Sequence, residues 1–91
     1  MKPVVIPIDG ELDLHTFPPG EVASLVDEYL AECARQGIFS VRVIHGKGTG
    51  MLKKKVWSVL SRHPLVQSFQ EAPPAAGGWG ATLVTLVRPA D

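Results

Sequence analysis

The stretch from Val41 to Gly50, VRVIHGKGTG, constrains this chain more than any other. A β-branched run of Val41, Val43 and Ile44 ends in His45. Gly46, Gly48 and Gly50 then alternate with Lys47 and Thr49, and a helical pattern begins at Met51. A strand that runs through a glycine loop into a helix commits the fold to layers, because the helix must bury its apolar stripe against the sheet. Glycine permits a tight turn and close backbone approach, and the helix N-terminus favours an anion. The spacing is not the nucleotide loop G-x-x-x-x-G-K-[ST]. Two readings fit: an ordinary strand-to-helix turn, and a phosphate-facing loop carrying His45 and Lys47.

The remaining segments arrange themselves around this unit. Residues 1–10 form a lead-in or an edge strand, since Pro3 and Pro7 suit only an edge, and Asp9-Gly10 signals a turn. Glu11–His15 alternates, with Leu12 and Leu14 on one face and Asp13 and His15 on the other. Pro18, Pro19 and Gly20 stop it. Glu21–Gln36 reads as a helix, because Val22, Leu25, Val26, Tyr29, Leu30 and Cys33 recur at three- and four-residue spacing and Gly37 follows as its terminator. Met51–Arg62 is a second helix with Leu52, Val56, Val59 and Leu60 as its core face; Trp57 falls off that stripe and is expected to be exposed beside the lysines. Leu65–Glu71 and Ala81–Val87 read as strands flanking the prolyl and glycyl loop Ala72–Gly80. His63, beside the helix-ending Pro64, reads as a surface residue.

The order β-α-β-α-β-β predicts one domain over residues 1–91, an α/β two-layer sandwich with a four-stranded mixed sheet and two helices on one face. Crossovers make the first three strands parallel, and the last two form an antiparallel pair. The carboxyl ends of the strands ending at His15 and Ile44, and the loop Ala72–Gly80, then share one sheet edge, where ligands of open α/β sheets bind.

Composition narrows the function classes. Hydrophobic residues make up 45% and charged residues 20%, which is ordinary for a soluble globular chain. No apolar run approaches the ~20 residues of a membrane span, and no signal peptide is legible. The single cysteine, Cys33, excludes an internal disulfide and reads as a core residue, and the cytoplasm is the expected location. Net charge is zero but unevenly spread. The acids of the first third are Asp9, Glu11, Asp13, Glu21, Asp27, Glu28 and Glu32, against Lys2 alone. Between Cys33 and Gln70 there is no acid, but there are Arg35, Arg42, Lys47, Lys53, Lys54, Lys55 and Arg62. That asymmetry suits a nucleic acid or another polyanion, as well as two merely solvated faces.

Three motifs carry chemistry. In Asp13-Leu14-His15 the alternation puts carboxylate and imidazole on one side, where Asp13 can orient His15 for proton transfer. In His45-Gly46-Lys47-Gly48-Thr49-Gly50, amides and Lys47 suit a phosphate, and His45 suits either a second proton transfer or a phosphate contact. In Gly77–Thr82 the glycines permit close approach, and Trp79 suits stacking on a base or covering the core. No histidine pair has metal-ligand spacing such as H-E-x-x-H, so no zinc site is expected, while Mg²⁺ or Mn²⁺ held by Asp13 stays open.

Taken in order, LDLH, IHGKGTG and GGWGAT resemble the Smr (small MutS-related) domain over Leu12–Leu86. The resemblance implies a fold like the C-terminal domain of bacterial translation initiation factor 3, and a nucleic-acid-binding, often nucleolytic, function. It implies Asp13, His15 and His45 as catalytic residues. It further matches Gly46, Lys47 and Gly48 to a motif implicated in binding or catalysis, and Gly78, Gly80 and Thr82 to a G-x-G-x-T element; Thr49 and Gly50 join these nucleic-acid-binding candidates as part of the phosphate-facing loop, and Lys53, Lys54 and Trp79 by their place beside the motifs. Many members continue LDLH with glycine, whereas this chain has Thr16. The expected function is therefore a DNA or RNA endonuclease, in a stand-alone and monomeric form. The alternative is a nucleic-acid or ribosome binding module of the same fold that does not cut.

Overall fold

The structure, a computed structural model, describes residues 6–89. Its elements run β1 (Glu11–Asp13), α1 (Val22–Arg35), β2 (Ser40–Ile44), α2 (Met51–Arg62), β3 (Val66–Glu71) and β4 (Ala81–Leu86). Short 3-10 turns occupy Pro19–Glu21, Pro74–Ala76 and Gly78–Gly80. The sheet order is β1-β2-β4-β3. β1 pairs parallel with β2, and β4 lies between β2 and β3, antiparallel to both. The first three strands therefore point the same way, as the crossover argument requires, and this is the expected mixed sheet with two helices.

Strand alternation decides which face is covered. Leu12, Val41, Val43, Thr82, Val84 and Leu86 are buried against the helices. On the opposite face Arg42 reaches Glu11 at 2.8 Å and donates to the Ala76 carbonyl at 2.9 Å. α1 buries Val22, Val26, Tyr29, Leu30 and Cys33, which is the expected stripe with Leu25 half-buried at its margin. Its end follows from Gly37, whose φ of 80° is open to glycine: the Ile38 N–H reaches the Cys33 carbonyl at 2.8 Å and the Gly37 N–H reaches Ala34 at 3.1 Å. α2 buries Val56, Val59 and Leu60.

Two expectations about the fold change, those for the end of β1 and for His63. The edge-strand reading of the first residues falls mostly outside the described residues; Ile6–Ile8 joins no strand and packs partly buried against the core. Asp9-Gly10 is a bend, in keeping with its turn signal, held by the Tyr29 hydroxyl, which accepts the Gly10 N–H and donates to the Glu11 carbonyl, both at 3.1 Å. Burial, with Cys33 nearby, pushes that phenol up to about 12. β1 stops at Asp13 because the Asp13 carboxylate captures the His15 N–H at 3.1 Å, which draws the chain out of the ladder and into a turn. His63 is buried, not a surface residue: it accepts the Leu65 N–H through Nδ1 at 3.1 Å, which leaves Nε2 to donate to Asp27 Oδ1 at 2.9 Å. One imidazole thus closes the end of α2 and ties it to α1.

Candidate functional site

Register brings the three motifs to one edge. Asp13 pairs with Ile44, Ile44 with Ala81, and Glu71 with Thr82. The turn after β1, the glycine loop after β2 and the loop before β4 therefore lie side by side.

At the first motif, one carboxylate oxygen does two things. Asp13 Oδ1 accepts the His15 N–H at 3.1 Å and bonds its ring Nδ1 at 2.7 Å. The imidazole bond, with the amide bond second, holds the Asp13 carboxyl below its ordinary value, so it is ionised at neutral pH. An ionised carboxylate only accepts, so Nδ1 carries the proton and Nε2 is the nitrogen left for a ligand. Both side chains stand in the open, His15 71% and Asp13 48% exposed. Thr16 needs no left-handed backbone, because no residue other than glycine has positive φ among the described residues. The missing glycine after His15 is accommodated without backbone strain.

His45 stands in a different environment. It is 5% exposed, and burial lowers its pKa against the raising effect of its bond to the Gly46 carbonyl. That carbonyl, 3.1 Å from Nδ1, can only accept, so Nδ1 bears the proton. Nε2, 2.8 Å from Thr82 Oγ1, then accepts the Thr82 hydroxyl proton. The same Oγ1 accepts the Trp57 indole N–H at 2.8 Å. This chain of bonds satisfies every member with His45 neutral. For His45 to exchange a proton with a ligand, one of its two bonds has to open. Trp57 is accordingly not the exposed residue expected: its N–H is spent on Thr82 and its ring packs edge-on against Phe69 at 5.1 Å.

The glycine loop is stapled to the third motif. The Gly80 carbonyl accepts both the His45 N–H at 3.1 Å and the Gly46 N–H at 2.9 Å. A Cβ on Gly80 would stand 3.0 Å from Lys47 Cγ and 3.5 Å from the Gly46 carbonyl carbon, so a side chain there would press on the exposed Lys47 stem where the two loops meet. Gly46 and Gly50 adopt φ of 83° and 84°. The amides of Lys47, Gly48, Thr49 and Gly50 have no acceptor among the described residues, while Thr49 Oγ1 accepts the Met51 N–H at 3.4 Å. Lys47 is exposed. A cleft of about 370 Å³ opens here, bounded by His45, Gly46, Gly48–Lys53 and Lys55.

Of the remaining candidates, Gly78 has φ of 57° with open space around it, and Trp79 is 40% exposed. Lys54 is exposed on α2. Lys53 is only 18% exposed and bonds Glu71 at 2.7 Å; its ammonium sits 5.1 Å from the Trp57 ring centre and 5.3 Å from that of Trp79. Sequence reasoning passed over Phe69 and Glu71 in this arrangement, and placed Trp57 beside Lys53 and Lys54 but at the surface. The signal for Trp57 was its i, i+4 spacing from Lys53, and for Glu71 its place as the first acid after the long basic run. Among the described residues no three His, Cys, Asp or Glu side chains come together as a metal cluster. Near His15 the donor set is the Asp13 carboxylate, so a divalent ion held there would draw its other ligands from water and from a bound phosphate.

With this geometry in hand, the comparisons with known proteins are concordant. The family model of the Smr domain matches residues 12–87. The chain is 45% identical over 76 residues to endonuclease MutS2 of Carboxydothermus hydrogenoformans and 41% identical over 76 residues to that of Thermus thermophilus; each match covers 84% of this chain and 10% of the relative. It thus spans about a tenth of the length of these curated relatives. The crystal structure of the Smr domain of Thermus thermophilus MutS2 superposes with a TM-score of 0.80 at 42% identity, over 87% of this chain and 98% of that one. YdaL, a stand-alone small MutS-related protein from Escherichia coli, gives a TM-score of 0.75 at 30% identity, over 91% and 67%.

Proposed function

Because this chain belongs to the Smr domain family, we propose that it binds nucleic acid and cleaves a phosphodiester bond at the edge where its three motifs meet. The observation that carries this reading is the exposed Asp13–His15 pair standing on the same sheet edge as a glycine loop with unspent amides. The ionised Asp13 fixes His15 with Nε2 outward, the nitrogen that takes or gives the proton; imidazole is the side chain suited to that near neutral pH. The Lys47 side chain and the unspent loop amides of Lys47–Gly50 hold the phosphate and stabilise charge developing on it, while the Gly46 amide stays on the Gly80 carbonyl. Lys54 adds positive potential along α2, Lys53 is balanced by Glu71 and braces the wall from within, and Gly78, Gly80 and Thr82 shape the rest of it. His45, named with Asp13 and His15 as catalytic by the family resemblance, contributes in this reading by holding the loop through its bonds to Gly46 and Thr82.

The test is a gel assay of supercoiled plasmid and structured RNA with Mg²⁺, with Mn²⁺ and with EDTA. Cleavage by the wild type that falls at least ~100-fold in both Asp13→Ala and His15→Ala supports the reading. Unchanged cleavage by the Asp13→Ala, His15→Ala double variant sinks it. The openness of the pair favours a second reading, a module that binds without cutting: side chains 71% and 48% exposed leave water free access to the reacting centre. A mobility shift with no products in any metal lane is the signature of that module.

A further inference from the structure

Beside the glycine loop lies a second depression that the cleavage chemistry does not use. It is an open slot of about 590 Å³ whose exposed lining is predominantly apolar, formed by Trp57, Phe69 and Trp79 with Gly50, Lys53 and Lys54. From this slot and its neighbour we infer that the protein takes one unstacked nucleobase of a single strand between Trp79 and α2, while that strand's phosphate sits at the glycine loop. The inference rests on the nucleic-acid reading above and adds the substrate class to it.

Three observations support a base as the occupant. The slot and the phosphate-facing cleft share Gly50 and Lys53, so a ligand filling both carries an anion next to a flat apolar group, which describes a nucleotide. Trp79 presents its ring at the tip of a glycine turn, 40% exposed, with Cζ3 only 3.9 Å from where a Cβ on Gly50 would stand. Lys53, held by Glu71 at 2.7 Å, lies within cation–π range of both indoles and fixes the floor between them. Charge agrees: Lys54 has no carboxylate at ion-pair distance among the described residues, and the slot's one neighbouring acid, Glu71, is spent on Lys53.

The lining also says how the base is read. The Trp57 N–H is committed to Thr82 and the Ser61 hydroxyl to the Ser58 carbonyl, so few polar groups are left to read a base edge. Binding by stacking alone tolerates any sequence. It does require the base to be out of a duplex stack, so the preferred substrate is single-stranded or carries unpaired nucleotides at the site.

The experiment measures the affinity of the full chain for four labelled 12-nucleotide probes at fixed salt. These are oligo-dT, oligo-U, a blunt duplex, and a deoxyribose-phosphate strand without bases, each also tested against Trp79→Ala and Trp79→Phe. The expected result is that oligo-dT or oligo-U binds at least ~5-fold more tightly than the baseless strand of equal charge. Trp79→Ala removes that difference without weakening the duplex, and Trp79→Phe retains most of it. The oligo-dT and oligo-U arms separate DNA from RNA. Equal affinity for strands with and without bases overturns the slot and leaves the nucleic-acid reading standing. Failure of every probe to bind overturns both. Concentration-dependent dimerisation that Trp79→Ala abolishes assigns the slot to a second copy of the chain and likewise overturns the proposal.

Discussion

At the scale of single residues, two histidines of one site have opposite surroundings, and the difference is measurable. His15 is open to water, whereas His45 is enclosed with both nitrogens engaged. Burial lowers the pKa of His45, its bond to the Gly46 carbonyl raises it, and of the groups facing it Lys53 lowers and Glu71 raises it, with burial the largest. The folded state therefore prefers neutral His45, and the unfolded chain, titrating at about 6.5, binds the proton more readily. Stability contributed this way is present above the unfolded pKa and is lost as pH falls below about 6.5 towards the folded value. Thermal unfolding from about pH 8 to pH 5 is expected to show a falling midpoint, with a smaller fall in His45→Gln. Equal falls in both proteins would assign the acid sensitivity elsewhere.

At the scale of elements, the glycines separate folding from function. Gly37 ends α1 with φ of 80°, and Gly46 opens the loop with φ of 83°; a Cβ at either meets nothing within 4 Å. Steric clash is absent at both, so each change to alanine costs only the left-handed conformation, about 1–2 kcal/mol. Chemical denaturation is expected to show similar losses for Gly37→Ala and Gly46→Ala. Only Gly46→Ala is expected to weaken oligonucleotide binding as well, because it alone reorients amides of the loop. A binding loss of equal size in Gly37→Ala would mean that stability, not loop geometry, controls affinity. These two positions also show what sequence makes legible at this scale. The helix-ending role of Gly37 followed from an apolar stripe that stops beside it, and the loop role of Gly46 from a strand that stops before it. What Gly80 does was not legible, since its carbonyl holds the amide of Gly46, 34 positions away in sequence, at 2.9 Å.

At the scale of the whole molecule, the same distinction governs charge. Periodicity fixed the helices and strands and with them the shared edge, because local apolar spacing alone dictates which face of each element is buried. Partners across the fold were not legible, which is why His63 and Trp57 were expected at the surface. The basic run from Arg35 to Arg62 likewise looks like one patch in sequence but divides in space. Arg35 pairs with Glu32, and Arg42 pairs with Glu11 on the sheet face away from the helices. Lys47 and Lys54 stand at the glycine loop and the slot, with no carboxylate at ion-pair distance among the described residues. If these two neutralise phosphates, each contributes to the dependence of affinity on salt through the counterion it displaces. A plot of log K against log salt for oligo-dT is expected to be linear and falling, and Lys47→Gln or Lys54→Gln to flatten its slope by about 0.7, the single-strand value for one phosphate contact. Arg42→Gln removes the same formal charge from the opposite face and is expected to leave the slope unchanged. Equal flattening by Arg42→Gln would show that net charge, and not the placement of lysines around one site, holds the nucleic acid.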